Sequence, residues 1–292
     1  MKILQITSLA VLLATVSTFP SQSAILVNET FADGTRTNQN PPDSLLWYSA
    51  NSSSTLSTTV GAMTMTTDDN DNFVLGYLTE AASPFTLQVG QKMVLTVVFS
   101  GELSGAVSPT GLRFGLFNSH QSRISSTGAS GSNAAYLNYS GYATAFGINS
   151  TQLVSNVWER NPGSGSNLIN SSSAYIVPPT GTTVNGSLAS NTPYTLTLEL
   201  DYQSPTLLTV TSSLEGGGLS GVVVSTPDTT PVVAFDTIVL WGGINPFQNL
   251  TFSSVNLAVI PEPSTNSLLA FLGLALLTGG WLRQRRKANI VF

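Results

Sequence analysis

Short runs of β-branched and aromatic residues recur between residues 25 and 260, and no helical periodicity of any length interrupts them. Gly, Asn, Ser and Pro separate the runs, which is typical of strands joined by turns. The pattern predicts ten strands, at residues 56–66, 73–78, 93–100, 112–117, 143–148, 194–202, 207–214, 222–225, 237–240 and 250–259. Ten strands without helices indicate an all-β fold of two packed layers.

The clearest pair of strands lies around residue 200. Leu196, Leu198 and Leu200 alternate with polar residues, so they share one face of a strand. The turn sequence Gln-Ser-Pro at 203–205 leads into a second strand, which predicts a hairpin. The last strand is expected to pair back towards the first. We interpret residues 25–259 as a single jelly-roll-like β-sandwich.

The order of these segments resembles that of concanavalin A-like and laminin G-like jelly rolls. An early strand entering through Glu-Thr-Phe at 29–31, a middle strand at 112–118 and the late hairpin at 196–214 carry the resemblance. It implies a sandwich whose first and last strands are neighbours.

Charged residues make up only 9% of the 292 residues, and Ser, Thr, Asn and Gly take their place. Between residues 25 and 262 there are fifteen acidic and five basic side chains, a balance of −10. Such a surface repels a phosphate backbone, so nucleic acid is not an expected partner. The chain has no cysteine, which excludes disulfides, thiol nucleophiles and thiolate metal sites.

The N-terminus has the three parts of a secretory signal peptide. Lys2 precedes an apolar run at 3–16, and the polar stretch Ser-Gln-Ser-Ala at 21–24 offers small residues for cleavage. Residues 1–24 are therefore predicted to direct export, with cleavage after Ser23 or Ala24. The alternative is a membrane anchor, but a run of about fourteen apolar residues is short for one.

Three features follow one another at the C-terminus: the motif Pro261-Glu262-Pro263, an apolar segment at 267–282, and a basic cluster of Arg283, Arg285, Arg286 and Lys287. The apolar segment is predicted to form a short transmembrane helix. The basic cluster is expected to stay in the cytoplasm, which leaves the motif on the outer side. The two prolines keep the motif extended, a form that suits a protease groove.

Over residues 260–288 this order resembles the PEP-CTERM sorting signal of Gram-negative bacteria. The resemblance implies that an exosortase-type membrane protease recognises Pro261, Glu262 and Pro263. It also implies transient anchoring in the inner membrane, cleavage near the motif, and delivery to the cell surface or the exopolysaccharide matrix. The alternative is a plain C-terminal anchor behind a proline-broken linker.

Polar segments at 119–133, 161–173 and 177–191 are expected to be mobile or binding loops. The only histidine of the chain, His120, lies in the first of them. A Ser-His-Asp site would have to be built on it, but no Gly-x-Ser-x-Gly motif is present. A solvated loop histidine is the simpler interpretation, and we predict no catalytic residue.

Glu199 and Asp201 lie two apart on a predicted strand and therefore project from one face. Glycosidases with the sandwich that this chain resembles carry a Glu-x-Asp-x-x-Glu signature, which supplies a nucleophile and a general acid. Ser204 stands at the final position here, so the acid is missing. The alternative is an acidic, solvent-facing strand, and a glycoside hydrolase is the third-ranked hypothesis.

Asp68, Asp69 and Asp71 form the densest group of oxygen ligands, and a calcium site is the one cofactor that the sequence suggests. A solvated turn between strands is the alternative. No other cofactor is predicted.

Tyr136, Tyr139 and Tyr142 recur every three residues, and such rings could stack on sugars. Core packing is an equally good explanation. The sequence as a whole predicts a non-enzymatic, exported protein of the cell surface or extracellular matrix. The main alternative is a carbohydrate-binding, lectin-like module that binds the exopolysaccharide.

Overall fold

The structure is a computed structural model of the chain, and it describes residues 23–50, 56–67, 73–104, 108–128, 130–148, 151–169, 175–176, 181–243 and 247–262. Within these ranges the secondary structure consists of β-strands and one 3-10 helix, Ala134–Asn138. The first nine strands are β1 (Ala24–Glu29), β2 (Trp47–Ser49), β3 (Leu56–Thr59), β4 (Ala62–Thr66), β5 (Phe73–Tyr77), β6 (Phe85–Thr86), β7 (Gln91–Leu103), β8 (Ser108–Asn118) and β9 (Ser140–Ile148). The others are β10 (Gln152–Arg160), β11 (Thr182–Asn185), β12 (Tyr194–Ser204), β13 (Leu207–Gly216), β14 (Leu219–Asp228), β15 (Ala234–Phe235), β16 (Thr237–Gly242) and β17 (Phe247–Pro261).

Two large sheets form the sandwich that the sequence predicted. One has eight strands in the order β14-β13-β12-β7-β17-β4-β3, with β1 also paired to β17. The other has seven strands in the order β11-β10-β9-β8-β16-β5-β2. A short ribbon of β15 and β6 makes a third, two-stranded sheet. The first and last strands are neighbours, as expected from the sequence.

All ten predicted runs fall on strands, and the hairpin of β12 and β13 is confirmed. The run at 56–66 is corrected to a hairpin, because a turn with Gly61 at φ +86° separates β3 from β4. The early strand was wrongly extended through residue 31. It ends at Glu29, since Phe31 adopts φ +54°, which an extended strand does not permit. Residues 182–185, predicted as loop, form β11.

The main core lies between the two large sheets. Leu196, Leu198 and Leu200 on β12 point into it, and they meet apolar side chains of the seven-stranded sheet such as Phe114 and Leu240. These side chains are completely buried, and each such burial contributes about 1.5–3 kcal/mol. The alternation read from the sequence therefore places the correct face of β12 inwards.

A second apolar layer covers the outer face of the seven-stranded sheet. Strands β5, β9 and β16 are buried at every position, which requires cover on both of their faces. We call this layer the roof; it consists of Ile124, Tyr136, Tyr139, Leu168, Ile169 and Tyr175. Parts of the segments at 119–133 and 161–173, predicted as mobile or binding loops, thus pack on the sheet.

A buried carboxylate fixes the chain that follows β1. Glu29 is 1% exposed, and its oxygens accept hydrogen bonds from the backbone N–H groups of Phe31 at 2.7 Å and Leu45 at 2.9 Å. These bonds hold both ends of the segment between β1 and β2. Because a carboxylate bonded in this way satisfies buried backbone donors, Glu29 is a structural residue.

Candidate functional sites

The predicted sorting motif begins where the sandwich ends. Pro261 is the last residue of β17, and Glu262 after it is exposed. Pro263, the apolar segment at 267–282 and the basic cluster Arg283, Arg285, Arg286 and Lys287 lie outside the described residues. So do residues 1–22 of the predicted signal peptide. Within the described part of the chain we find no membrane-spanning helix.

The two ends of the sandwich lie side by side. Strand β1 pairs with the second half of β17 in an antiparallel register that sets Ala24 opposite Val259 and Ile25 opposite Ala258. Strand β4 pairs with the first half of β17. Ala24, the first residue of β1, is therefore a neighbour of the residues that lead into the motif.

Glu199 and Asp201 lie on the outer face of β12, as the alternation predicted. Lys92 on the neighbouring strand β7 contacts both, at 3.2 Å from a Glu199 oxygen and 3.6 Å from an Asp201 oxygen. Gln203 donates a further hydrogen bond to Asp201 at 2.9 Å. The two carboxylates are thus tied into a cross-strand ion-pair group, and Ser204 stands where the glycosidase signature has its acid.

His120 does not form a Ser-His-Asp relay. Its Nε2 atom lies 2.9 Å from Oγ of Ser140, whereas the hydroxyl of the adjacent Ser119 donates directly to Asp236. In a catalytic relay the imidazole stands between the hydroxyl and the carboxylate. Here the carboxylate bonds the serine without the histidine between them, so neither serine is activated in that way.

Asp236 instead anchors the loop after β8. Its fully buried carboxylate accepts hydrogen bonds from the backbone N–H of Ser119 at 2.8 Å and from Arg123 Nη2 at 2.9 Å. Arg123 also donates to the Thr79 carbonyl at 2.6 Å, and its guanidinium lies 4.3 Å from the centre of the Tyr77 ring. This network fixes the loop on the end of the seven-stranded sheet.

The three tyrosines proposed to stack on sugars lie in the interior. Tyr136, Tyr139 and Tyr142 are each at most 1% exposed. Tyr136 and Tyr139 belong to the roof, while Tyr142 points into the core between the sheets. Burial raises the pKa of all three phenols above the usual range. A buried ring has no free face for a sugar, so the sugar-stacking interpretation is corrected to core packing.

Tyr77 links the roof to the loop anchored by Asp236. Its hydroxyl accepts a hydrogen bond from the backbone N–H of Ile124 at 2.9 Å and lies 3.3 Å from the hydroxyl of Tyr139. Burial raises the pKa of Tyr77 to about 12. The hydroxyl is therefore protonated at neutral pH and serves as a structural connector.

A second pair of carboxylates, which the sequence did not predict, consists of Glu159 on β10 and Asp228 at the end of β14. Tyr142 donates a short hydrogen bond to Asp228, whose other oxygen accepts from the backbone N–H of Thr230 at 2.8 Å. Burial, and then the charge of Asp228, raise the pKa of Glu159. No local motif predicts this pair, because the two residues are distant in sequence and come together only through the packing of the sheets.

Two buried arginines were also missed. The Arg113 guanidinium lies between two indoles, 4.6 Å from the Trp158 ring centre and 4.2 Å from that of Trp241, and burial lowers the pKa of Arg113 to about 10. Arg160 is completely buried and donates to the Tyr136 carbonyl at 2.7 Å. Both arginines hold the roof on the sheet. Trp158 on β10 and Trp241 on β16 belong to the sheet and pack in the same apolar cluster as the roof.

The predicted calcium ligands Asp68, Asp69 and Asp71 lie outside the described residues. Among the residues that the structure does describe, no group of three or more His, Cys, Asp or Glu side chains could hold a metal ion. The pair of Glu159 and Asp228 falls short of that number.

No protein-family model matches the chain, and no curated protein is significantly similar to it. Solved structures with a similar fold include the Lotus tetragonolobus seed lectin, at 14% identity and a TM-score of 0.48 over 82% of this chain and 100% of that one. Lectin II from Ulex europaeus has 12% identity and a TM-score of 0.48, over 82% of this chain and 99% of that one. Endo-1,3-beta-glucanase from Streptomyces sioyaensis has 11% identity and a TM-score of 0.46, over 85% and 100%. These values carry no inference about a ligand or a reaction.

Proposed function

We propose that this chain is an exported, non-enzymatic surface or matrix protein, displayed through its C-terminal Pro-Glu-Pro signal. An exosortase-type membrane protease cleaves near Pro261, Glu262 and Pro263, and the β-sandwich is the part that is released. Before cleavage the apolar segment at 267–282 anchors the chain in the inner membrane. The basic cluster Arg283, Arg285, Arg286 and Lys287 fixes its orientation.

The observation that carries the proposal is the place of the motif in the sequence, just after the last buried residue of the final strand. Strand β17 ends at Pro261, and the next residue, Glu262, is exposed. Cleavage at or after the motif would therefore remove no residue of the core, since Val259 is the last buried position of the strand. A signal in this position supports release of an intact domain.

The roles of the chemical groups support a non-enzymatic domain. Glu199 and Asp201 are bridged by Lys92, and Ser119 is bonded directly to the carboxylate that also pairs with Arg123. Each of these groups is bonded to a neighbouring side chain of the fold.

The test is the mass of the protein recovered from the cell surface and the medium of its native host. We expect a mature form that begins at Ala24 or Ile25 and ends near residues 261–264. A Glu262→Ala variant should accumulate uncleaved in the inner membrane, because the central residue of the motif is removed.

The matched control is Glu215→Ala, which removes another exposed carboxylate, from the end of β13. It should be processed like the natural chain. Recovery of the natural chain only as an intact, membrane-bound form would contradict the proposal and favour a plain anchor.

Carbohydrate binding is the second candidate. Hydroxyl groups of Thr197, Thr211, Ser213 and Ser225 line the partly exposed outer face of the eight-stranded sheet, and they could exchange hydrogen bonds with a neutral polysaccharide. A glycan array probed with and without calcium tests this candidate. Absence of binding under both conditions would remove it.

A further inference from the structure

We propose that the sandwich rests on the bilayer through an exposed apolar corner next to its two chain ends. We call the corner the terminal patch and define it as Ile25, Val89 and Ile260. The partner is the lipid surface itself. This inference rests on the proposed function, because it requires the chain to be anchored in a membrane.

Two members of the terminal patch are neighbours on one face of the eight-stranded sheet. Ile25 lies opposite Ala258, and paired residues of an antiparallel ladder project to the same side. Ile260 is two residues beyond Ala258 and therefore shares that side. Ile25 is 55% exposed and Ile260 is 43% exposed, while Val259 between the two outward positions is 2% exposed.

Val89 lies at the same end of the sheet. Strands β7 and β17 are adjacent and run in opposite directions, since Asn249 near the start of β17 bonds Glu102 near the end of β7 at 3.0 Å. The beginning of β7 is thus beside the end of β17. Val89 directly precedes β7 and is 52% exposed.

Few charged side chains lie on the two strands that carry Ile25 and Ile260. An acidic domain is repelled by an anionic bilayer. No charged residue occurs in β17, and the single charge of β1, Glu29, is buried. The nearest carboxylates at the start of β7, Glu199 and Asp201, are bridged by Lys92. Glu262, which is exposed two residues after Ile260, is the unbridged carboxylate that follows the corner along the chain.

The length of the chain beyond β17 keeps the corner close to the membrane. The apolar segment begins at residue 267, seven residues after Ile260. A fully extended chain of that length spans at most about 25 Å. The domain cannot move far from the bilayer before cleavage, and exposed apolar side chains next to the tether will enter the headgroup region.

The absence of cysteine makes a site-specific test direct. Single Cys variants Ile25→Cys, Val89→Cys and Ile260→Cys of the full chain are labelled with the environment-sensitive fluorophore NBD. They are then reconstituted in vesicles of phosphatidylethanolamine and phosphatidylglycerol. We expect blue-shifted emission at the three positions, and quenching when the vesicles contain doxyl-labelled lipid.

The matched controls are Val60→Cys and Val223→Cys, at valines that are 80% and 51% exposed outside the terminal patch. Their labels should keep a water-like emission and resist quenching. Equal quenching at all five positions, or none at the patch, would overturn the inference. A blue shift that doxyl lipid does not quench, and that fades on dilution, would assign the patch to a second copy of the chain and overturn it as well.

Flotation of the same vesicles separates this inference from the proposed function. If the chain floats with the vesicles and the patch labels stay unquenched, the anchor stands and the lipid contact fails. If the chain does not float, the membrane anchor of the proposed function has failed, and the lipid contact falls with it.

Discussion

Arg123 Nη2 lies 2.9 Å from Asp236 Oδ2, and this ion pair joins the loop after β8 to the seven-stranded sheet. The Asp236 side chain is fully buried and that of Arg123 is 16% exposed. Removing one partner of a buried pair leaves an uncompensated charge, which costs about 3–5 kcal/mol. We therefore expect Asp236→Ala to lower the free energy of unfolding by that amount in urea titrations. Asp43→Ala, at an exposed carboxylate, is the control and should change stability by less than about 0.5 kcal/mol.

Tyr136 and Tyr139 are a matched pair for testing the roof. The Tyr136 hydroxyl is buried without a hydrogen-bond partner in the described part of the chain, whereas the Tyr139 hydroxyl contacts Tyr77. Tyr136→Phe should therefore preserve or raise stability, since an unsatisfied buried hydroxyl costs about 1–3 kcal/mol. Tyr139→Phe should lower it by roughly 0.5–1.5 kcal/mol. Thermal unfolding of the two variants measures both changes in stability. A Tyr139→Phe variant more stable than Tyr136→Phe would contradict this description of the roof.

The raised pKa of Glu159 predicts in which direction the stability of the domain changes with pH. Burial raises its pKa in the folded state above the ordinary value of 4.5, so the folded protein binds this proton more tightly than the unfolded chain does. The contribution of Glu159 to stability thus falls as the pH rises through the two pKa values. Glu159→Gln should be more stable than the natural protein at pH 7, and the difference should disappear as the pH falls below 4.5.

Urea titrations between pH 3 and pH 7 measure this difference. Glu215→Gln, at an exposed position, corrects for the general effect of removing one negative charge from an acidic domain. A difference for Glu159→Gln that grows towards low pH would contradict the assigned environment.

The pairing of β1 with β17 can be tested by a disulfide. Ala24 and Val259 lie directly opposite each other, where Cα atoms of antiparallel strands are about 4.5–5.5 Å apart and within disulfide range. Ala24→Cys/Val259→Cys should form a bond that closes nearly the whole domain. The loop-entropy model gives about 5.5 kcal/mol for a loop of about 235 residues. The mispaired Ala24→Cys/Ala258→Cys variant is the control, because residue 258 projects to the other face. Equal thermal stability of the oxidised and reduced paired variant would contradict the register.

The sequence predicted strands well where one face alone is buried. Strand β12 alternates Leu with Thr, Glu and Asp, so its inward face could be assigned from the spacing of two. Strand β10 was missed because Ser155 takes an inward position between Leu153 and Val157, which breaks the apolar alternation. The rule fails where a polar residue occupies the core.

The roof could not be predicted by the same reasoning. Tyr136 and Tyr139 are three residues apart. This spacing shows that aromatic rings recur, but it does not indicate which surface they pack against. Arg113 and Arg160 are buried through contacts with indole rings and backbone carbonyls far along the chain. A single sequence contains no local signal for such contacts. Arginine on a strand is usually exposed, so burial of both had to come from the structure.

The pairing of Ala24 on β1 with Val259 on β17 also determines when the eight-stranded sheet can be completed during folding. Strand β17 lies between β7 on one side and β4 and β1 on the other. Until β17 is in place, β1 and β4 are therefore not joined to the rest of the eight-stranded sheet. In the proposed export from the N-terminus, β1 would cross the membrane first and its partner β17 last. Contacts of such sequence separation form slowly and leave strand edges open meanwhile. The eight-stranded sheet would therefore stay incomplete until the last residues of the domain have crossed. The residues that complete it directly precede the proposed release signal.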